Sequence, residues 1–206
     1  MIFIGDIHGK WPSYFKIIRK ISPQKSIQVG DCGFGFSRRK KPRAPWDMDH
    51  RFIRGNHDDP KEANAHPNCL GDYGVTEEGI FFVAGGYSVD YKWRQDEMLL
   101  NPGTPPLWWA DEEIAESKFE KILELYGISK PTIVVSHDCP SEIRDIILAK
   151  GDMPPLRNRT SDGLLSAMFK AHQPAFWIFG HYHESFNAVI NSTKFVCLAE
   201  LEMFEV

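Results

Sequence analysis

At 206 residues, 42% of them hydrophobic, the chain is long enough to bury a core without disulfide staples and too apolar to be disordered. Its 24 Lys+Arg against 28 Asp+Glu leave a formal charge of −4, which excludes a general nucleic-acid coat or membrane-surface binder. The four cysteines form no Cys-x-x-Cys pair, no apolar run is long enough to span a bilayer, and Met1 leads at once into Ile2-Phe3-Ile4 and polar residues. The expectation is one cytoplasmic domain over residues 1–206 with reduced thiols and no membrane partner.

In chain order, short apolar runs end repeatedly in Gly, Asp, His or Asn. The first predicted strand, Met1–Ile4, is closed by Gly5-Asp6. A helix over Trp11–Ile21 follows, with Trp11, Tyr14, Phe15, Ile18 and Ile21 at helical spacing and Pro12 tolerated in its first turn. Strands come next at Ser26–Val29, before Gly30-Asp31, at Arg51–Arg54, before Gly55-Asn56-His57, and at Ile80–Ala84. A helix is expected from an acidic N-cap at Asp111 to Tyr126, ending at Gly127. Thr132–Val135 reads as a strand before Ser136-His137, Ser141–Leu148 and Ser161–His172 as helices, and Phe176–Phe179 as a strand before Gly180-His181. Phe186–Ile190 and Lys194–Leu198 flank Asn191-Ser192 as a hairpin. Alternating strands and helices with a β-rich end argue for an α/β sandwich.

In such folds, functional residues gather on loops leaving the carboxyl ends of strands. Five predicted strand ends deliver Asp6 and His8, Asp31, Asn56 and His57, His137, and His181 and His183. Carboxylate with imidazole suits Mn, Fe, Zn or Ni better than Mg or Ca. Seven of these groups, taken as ligands, are too many for one tetrahedral ion and suit two, about 3.5–4 Å apart, sharing a carboxylate and a water. That arrangement points to phosphoester hydrolysis.

Gly5-Asp6-Ile7-His8-Gly9, Gly30-Asp31, Gly55-Asn56-His57-Asp58, Ser136-His137 and Gly180-His181-Tyr182-His183 together resemble the ordered motifs of calcineurin-like metallophosphoesterases. The blocks run from residue 5 to 183, nearly the whole chain. The resemblance implies a four-layer α/β/β/α sandwich holding two divalent metal ions, manganese first with Fe, Zn or Ni as alternatives. One ion would be held by Asp6, His8, Asp31 and His183, the other by Asp31, Asn56, His137 and His181. His57 would be the general acid or a stabiliser of the phosphoryl oxygens, and Asp58 would fix the loop or the imidazole. The implied reaction is hydrolysis of a phosphomonoester or phosphodiester by metal-bound hydroxide, the substrate being a small phosphoester or nucleotide. A nuclease, or a cyclic-nucleotide or nucleotide phosphodiesterase, is the alternative, with nucleic acid as a candidate partner. A non-catalytic scaffold of the same fold is the alternative from another class.

The chain also departs from the phosphoprotein-phosphatase pattern, since Phe34 and Gly35 stand where that branch has an Asp supporting the acid histidine and an Arg gripping phosphate. Asn56, Lys92 and Arg94 are the candidates for contact with phosphate, and Phe34 with Phe36 could line a pocket for a ring. Gly85–Arg94 and Trp108–Glu113 resemble segments of an uncharacterised bacterial and phage branch. The run Ser37–Arg43 holds five cations and no acid, and reads as a solvated loop or an anion-contacting one. His50, His66 and His172 belong to no motif and are expected as surface or core residues. Trp108 and Trp109 are expected in packing, and Cys32 and Cys139 as packed bystanders.

Overall fold

The computed structural model describes residues 1–35, 42, 46–150 and 158–206. The basic run Ser37–Arg43, apart from Pro42, lies outside them, as does Phe36. In chain order the elements are β1 (Ile2–Ile4), α1 (Trp11–Ile21), β2 (Ser26–Gln28), β3 (His50–Phe52), α2 (Pro60–Asn64), β4 (Tyr73–Val75), β5 (Phe81–Val83) and α3 (Tyr91–Leu100). The second half comprises a 3₁₀ turn (Glu116–Lys118), α4 (Phe119–Ser129), β6 (Ile133–Ser136), α5 (Ser141–Lys150), a π-helical turn (Thr160–Leu165), α6 (Ser166–Ala171), β7 (Phe176–Phe179), β8 (Phe186–Ile190), β9 (Thr193–Cys197) and β10 (Met203–Glu205).

They form two sheets. One has four strands in the order β10-β1-β2-β3, and the other six in the order β4-β5-β6-β7-β9-β8. β1, β2 and β3 run parallel, as do β5, β6, β7 and β9, with β10, β4 and β8 antiparallel at the edges.

Alternation along each strand explains the layers. Phe3 and Ile27 from the first sheet meet Phe82, Val135, Ile178 and Val196 from the second, forming a core between the sheets. The opposite face of the first sheet, carrying Ile2, Ile4 and Phe52, packs on Trp11, Tyr14 and Ile18 of α1. The opposite face of the second, carrying Phe81, Val83, Val134 and Trp177, packs on Ile122 and Tyr126 of α4, Ile143 of α5 and Met168 of α6. Strands buried on both faces favour apolar residues, as in β1, β5 and β7, which read as continuous hydrophobic runs, whereas β2 also buries Ser26 and Gln28. The result is the expected α/β/β/α sandwich. None of the described helices is long and apolar enough to cross a membrane.

The helix predicted from Asp111 starts instead at Phe119, after the 3₁₀ turn. Residue 112 is held elsewhere: Arg54 Nη1 donates to the Glu112 carbonyl at 2.6 Å, and the Glu112 side chain bonds Ser88. α4 runs through Gly127 and stops at Lys130, whose φ of 40° is left-handed. The predicted helix at Ser161–His172 is π-helical in its first half. There the Ser166 hydroxyl donates to the Ser161 carbonyl at 2.9 Å, entering the backbone ladder that a regular α-helix would close. α3 carries a weak sequence signal because Arg94 is its one fully buried residue.

Candidate metal centre

The parallel strands of both sheets point their carboxyl ends to one edge of the sandwich. β1 delivers Asp6 and His8, β2 Asp31, β3 Asn56 and His57, β6 His137, and β7 His181 and His183. The turns are tightly wound: His8, Asp31, His181 and His183 have φ values of 43°, 55°, 72° and 55°. Non-glycine residues avoid this left-handed region, and such strain collects at functional sites. Two glycines permit the close approach. A Cβ at Gly55 would overlap Asp31 Oδ1, and one at Gly180 would overlap Asp6 Oδ1.

Asp6, His8, Asp31 and His183 each offer a ligand atom, all within 4.8 Å of one another. His8 Nε2 and His183 Nε2 are 2.8 Å apart, His183 Nε2 is 3.4 Å from Asp6 Oδ2, and His8 Nε2 is 3.8 Å from Asp31 Oδ2. On the other side of Asp31, Oδ1 lies 3.3 Å from His137 Nε2. Asn56 Oδ1 completes that second group, 2.9 Å from His137 Nε2 and 3.0 Å from His181 Nδ1. Asp31 thus faces both groups, one oxygen to each.

The donor set fits cations. Asp6 Oδ1 and Asp31 Oδ2 are buried and have no hydrogen-bond partner among the described residues, which is costly unless positive charge is supplied. His137 Nδ1 lies 3.1 Å from the Val29 carbonyl, to which it can only donate. That bond places a proton on Nδ1. Burial works against a second one on Nε2, but Asp31 and Asp6 outweigh it and raise the imidazole to about 10, so a cation at Nε2 would take the place of that proton. Burial pushes the Asp6 carboxyl well above its ordinary range. Asp31 is likewise buried, but His137, His57 and His8 pull it well below. Two adjacent buried carboxylates do not both ionise easily without added positive charge.

Asp58 is completely buried, and its oxygens accept four backbone N–H groups: Cys32 at 3.0 Å, Gly33 at 2.6 Å, Phe34 at 2.8 Å and Gly55 at 2.9 Å. Of its two expected roles this is loop-fixing, joining the turn after β2 to the turn after β3. His57 has Arg94 alongside: Nη1 is 2.8 Å from Nδ1 and Nη2 is 3.3 Å from Nε2. Burial, with the neighbouring guanidinium, pushes the imidazole down to about 4.

A cavity of about 390 Å³ opens beside the cluster, with Asn56, His57, His181, His183 and Arg94 in its lining and Tyr87, Val89, Ile147 and Leu148 as apolar wall. Lys92 does not line it and is exposed. Two residues before Arg94 on the same helix, it projects about 200° around the axis from it. Phe34 is no pocket-lining ring either: it is 2% exposed and packs on Trp11, Phe52 and His66. An apolar side chain between α1 and the sheet gains more from that core than from an open site.

His50 and His66 are buried away from the cluster, and His172 caps the Pro131 carbonyl. Trp108 and Trp109 are half-buried, with Trp108 against Tyr91. Cys32 and Cys139 are buried and free. Sequence reasoning missed Ser88 and Glu112, which touch the site from behind Asn56. No metal-ligand spacing marks a serine or a glutamate of this kind.

The sequence model for the calcineurin-like phosphoesterase family matches residues 1–185. Among curated proteins, none matches the sequence. Among solved structures, a conserved uncharacterized protein from Streptococcus pneumoniae TIGR4, titled a predicted phosphoesterase, superposes with a TM-score of 0.38 at 12% identity, covering 97% of this chain and 72% of that one. GAP50, described as the anchor in the inner membrane complex of Plasmodium, superposes with a TM-score of 0.46 at 10% identity, covering 97% and 71%. By its match over residues 1–185, the chain belongs to the calcineurin-like phosphoesterase family.

Proposed function

We propose that this protein is a dinuclear metal-dependent hydrolase of small phosphomonoesters or phosphodiesters, nucleotides among them, with manganese as its resident metal. The observation that carries the reading is the position of Asp31, whose Oδ2 faces His8 while its Oδ1 faces His137. Asp6, His8, Asp31 and His183 would hold one ion, and Asp31, Asn56, His137 and His181 the other. Two such ions supply the Lewis acidity that makes water a nucleophile near neutral pH and offset the charge of phosphate.

The protein's own groups orient the ester. A guanidinium can only donate, so at least one His57 nitrogen beside Arg94 must accept, and the shorter contact selects Nδ1. The ring is then neutral with its proton on Nε2, 4.0 Å from Asp31 Oδ2, and the longer 3.3 Å approach of Arg94 Nη2 to Nε2 gives way when Nη2 turns to a phosphate oxygen. In this arrangement His57 donates a hydrogen bond to a phosphoryl oxygen, the second of its two expected roles, while the Arg94 cation offsets substrate charge. The wall of Tyr87, Val89, Ile147 and Leu148 suits a small organic leaving group. Four free cysteines, three of them buried, support residence in the reducing cytoplasm.

The test is a panel of p-nitrophenyl phosphate, its bis ester and nucleotides, run with Mn²⁺, Fe²⁺, Zn²⁺ and Ni²⁺ and with EDTA. Turnover that EDTA abolishes and Mn²⁺ restores is the expected result. Hydrolysis confined to polynucleotides would favour a nuclease. Failure to bind metal or to turn over any ester would make the protein a non-catalytic scaffold.

A further inference from the structure

The segments Gly85–Arg94 and Trp108–Glu113 meet behind the metal centre, and their contact forms a buried chain ending on a proposed ligand. Ser88 is 2% exposed, Glu112 3% and Asn56 2%. The Ser88 backbone N–H donates to Glu112 Oε1 at 2.8 Å, and the Ser88 hydroxyl donates to Glu112 Oε2 at 2.7 Å. Asn56 Nδ2 donates to Ser88 Oγ at 3.0 Å, leaving Asn56 Oδ1 directed at His137 and His181.

We propose that Ser88 and Glu112 are positioning residues for the second metal, fixing which end of the Asn56 amide faces it. A serine hydroxyl has one hydrogen. With that hydrogen given to the carboxylate, Ser88 presents only lone pairs to Asn56, and only the NH₂ end of the amide can meet them. The oxygen must then face the imidazoles, where a cation needs it. An amide turned end for end would aim two N–H donors at the ion and fail as a ligand. Asn56 has no charge, and Glu112 acting through Ser88 fixes its NH₂ end on the side away from the imidazoles. Backbone anchors hold the arrangement in place: Arg54 Nη1 bonds the Glu112 carbonyl, and Gly85 N–H bonds the Arg54 carbonyl at 2.8 Å. Partners of this kind behind a ligand commonly govern about 10–100-fold in metal affinity.

This inference rests on the two-metal reading, and calorimetric titration of the metal-stripped full chain with Mn²⁺ keeps the two apart. Wild-type protein is expected to take two ions. Glu112→Gln, nearly isosteric, and Ser88→Ala are each expected to weaken one of them about 10–100-fold and leave the other unchanged, with near-UV circular dichroism as in wild type. Asn56→Asp supplies the control for a merely structural role. A carboxylate offers oxygen at either end, so adding Ser88→Ala to Asn56→Asp should cost no further affinity. Two ions bound by both single variants with wild-type affinities would overturn the proposal while leaving the two-metal reading intact. An equal loss from Ser88→Ala in the wild-type and Asn56→Asp backgrounds, or equal weakening of both ions, would also overturn it. Fewer than two ions in wild type would remove the two-metal reading itself, and this inference with it.

Discussion

Arg94 Nη1 stands 2.8 Å from His57 Nδ1, so the histidine beside the metal centre is partnered by a cation. Arg94 is itself held by Asp90 Oδ1 at 2.6 Å and by the Leu107 carbonyl at 3.0 Å, which fixes the guanidinium against the ring. A general acid would need a proton acidic enough to pass to the leaving oxygen, and the neutral ring that this geometry favours does not readily release its Nε2 proton. A neutral donor to a non-bridging phosphoryl oxygen makes a different prediction from an acid. His57→Ala should lower kcat/KM by a similar factor, about 100-fold, for p-nitrophenyl and alkyl esters alike. A loss that grows steeply as the leaving group becomes more basic would restore the general-acid role. Arg94→Met keeps the aliphatic stem and removes the charge. It should cost about 10–100-fold in kcat/KM, the range of a charged hydrogen bond to phosphate.

The division between holding metal and acting on substrate is testable with the same variants. Asp31 faces both ligand groups, so Asp31→Asn should abolish turnover and release both ions, and His137→Ala should abolish turnover and release at least one. His57→Ala should keep the full metal content while kcat/KM falls about 100-fold. Inductively coupled plasma analysis of each purified variant decides it. An empty centre in His57→Ala would mean that the ring belongs among the ligands.

Strand ends made the donor set legible, because strands such as β1 and β7 are apolar runs and the polar residues that close them stand out. Asp6, Asp31 and Asn56 fall after β1, β2 and β3 in register-matched parallel strands, so their 25-residue spacing becomes adjacency at one sheet edge. What lay hidden depends on contacts far apart in sequence. The expected helix start at Asp111 was overridden because Glu112 and its carbonyl are held by Ser88 and Arg54, which no local pattern records. Arg94 could be named as a phosphate contact from its charge, but its approach to His57 depends on where α3 docks. Phe34 reads from the sequence as a pocket ring, and its packing against Trp11 and Phe52 places it in the core instead.

Asp58 should be a stability residue whose loss reaches the site indirectly. Its carboxylate gathers four N–H groups from two separate turns, and burial with the nearby Asp31 pushes it up to about 6. Asp58→Ala would leave those donors unpaired in the interior, at about 1–3 kcal/mol for each group that cannot relax. A loss of at least about 3 kcal/mol in urea unfolding is expected, with Asp58→Asn intermediate because it retains one acceptor. A change below about 0.5 kcal/mol, the size of an ordinary surface substitution, would show that the turns hold without it.

Asp72 offers a pH test on a carboxylate outside the set of metal ligands. Its carboxylate meets Arg54 Nε at 3.0 Å, Asn64 Nδ2 at 3.0 Å and Lys118 Nζ at 2.9 Å, tying the loop after β3 to α2 and the start of α4. Burial works against the charge, but Arg54, Lys118 and Asn64 outweigh it and bring the carboxyl from 3.8 down to about 2. A folded-state value below the unfolded one means that the unfolded chain binds the proton more tightly. The stabilisation is therefore complete above about pH 5 and lost as pH falls from about 4 towards 2. The shift corresponds to about 2 kcal/mol, so Asp72→Asn should lower Tm by about 4–8 °C at pH 7. By pH 3 the gap between variant and wild type should have fallen to about half. A gap that stays constant from pH 7 to pH 3 would mean that the three partners act through geometry alone, since Asn can keep part of the same hydrogen-bond pattern but cannot titrate.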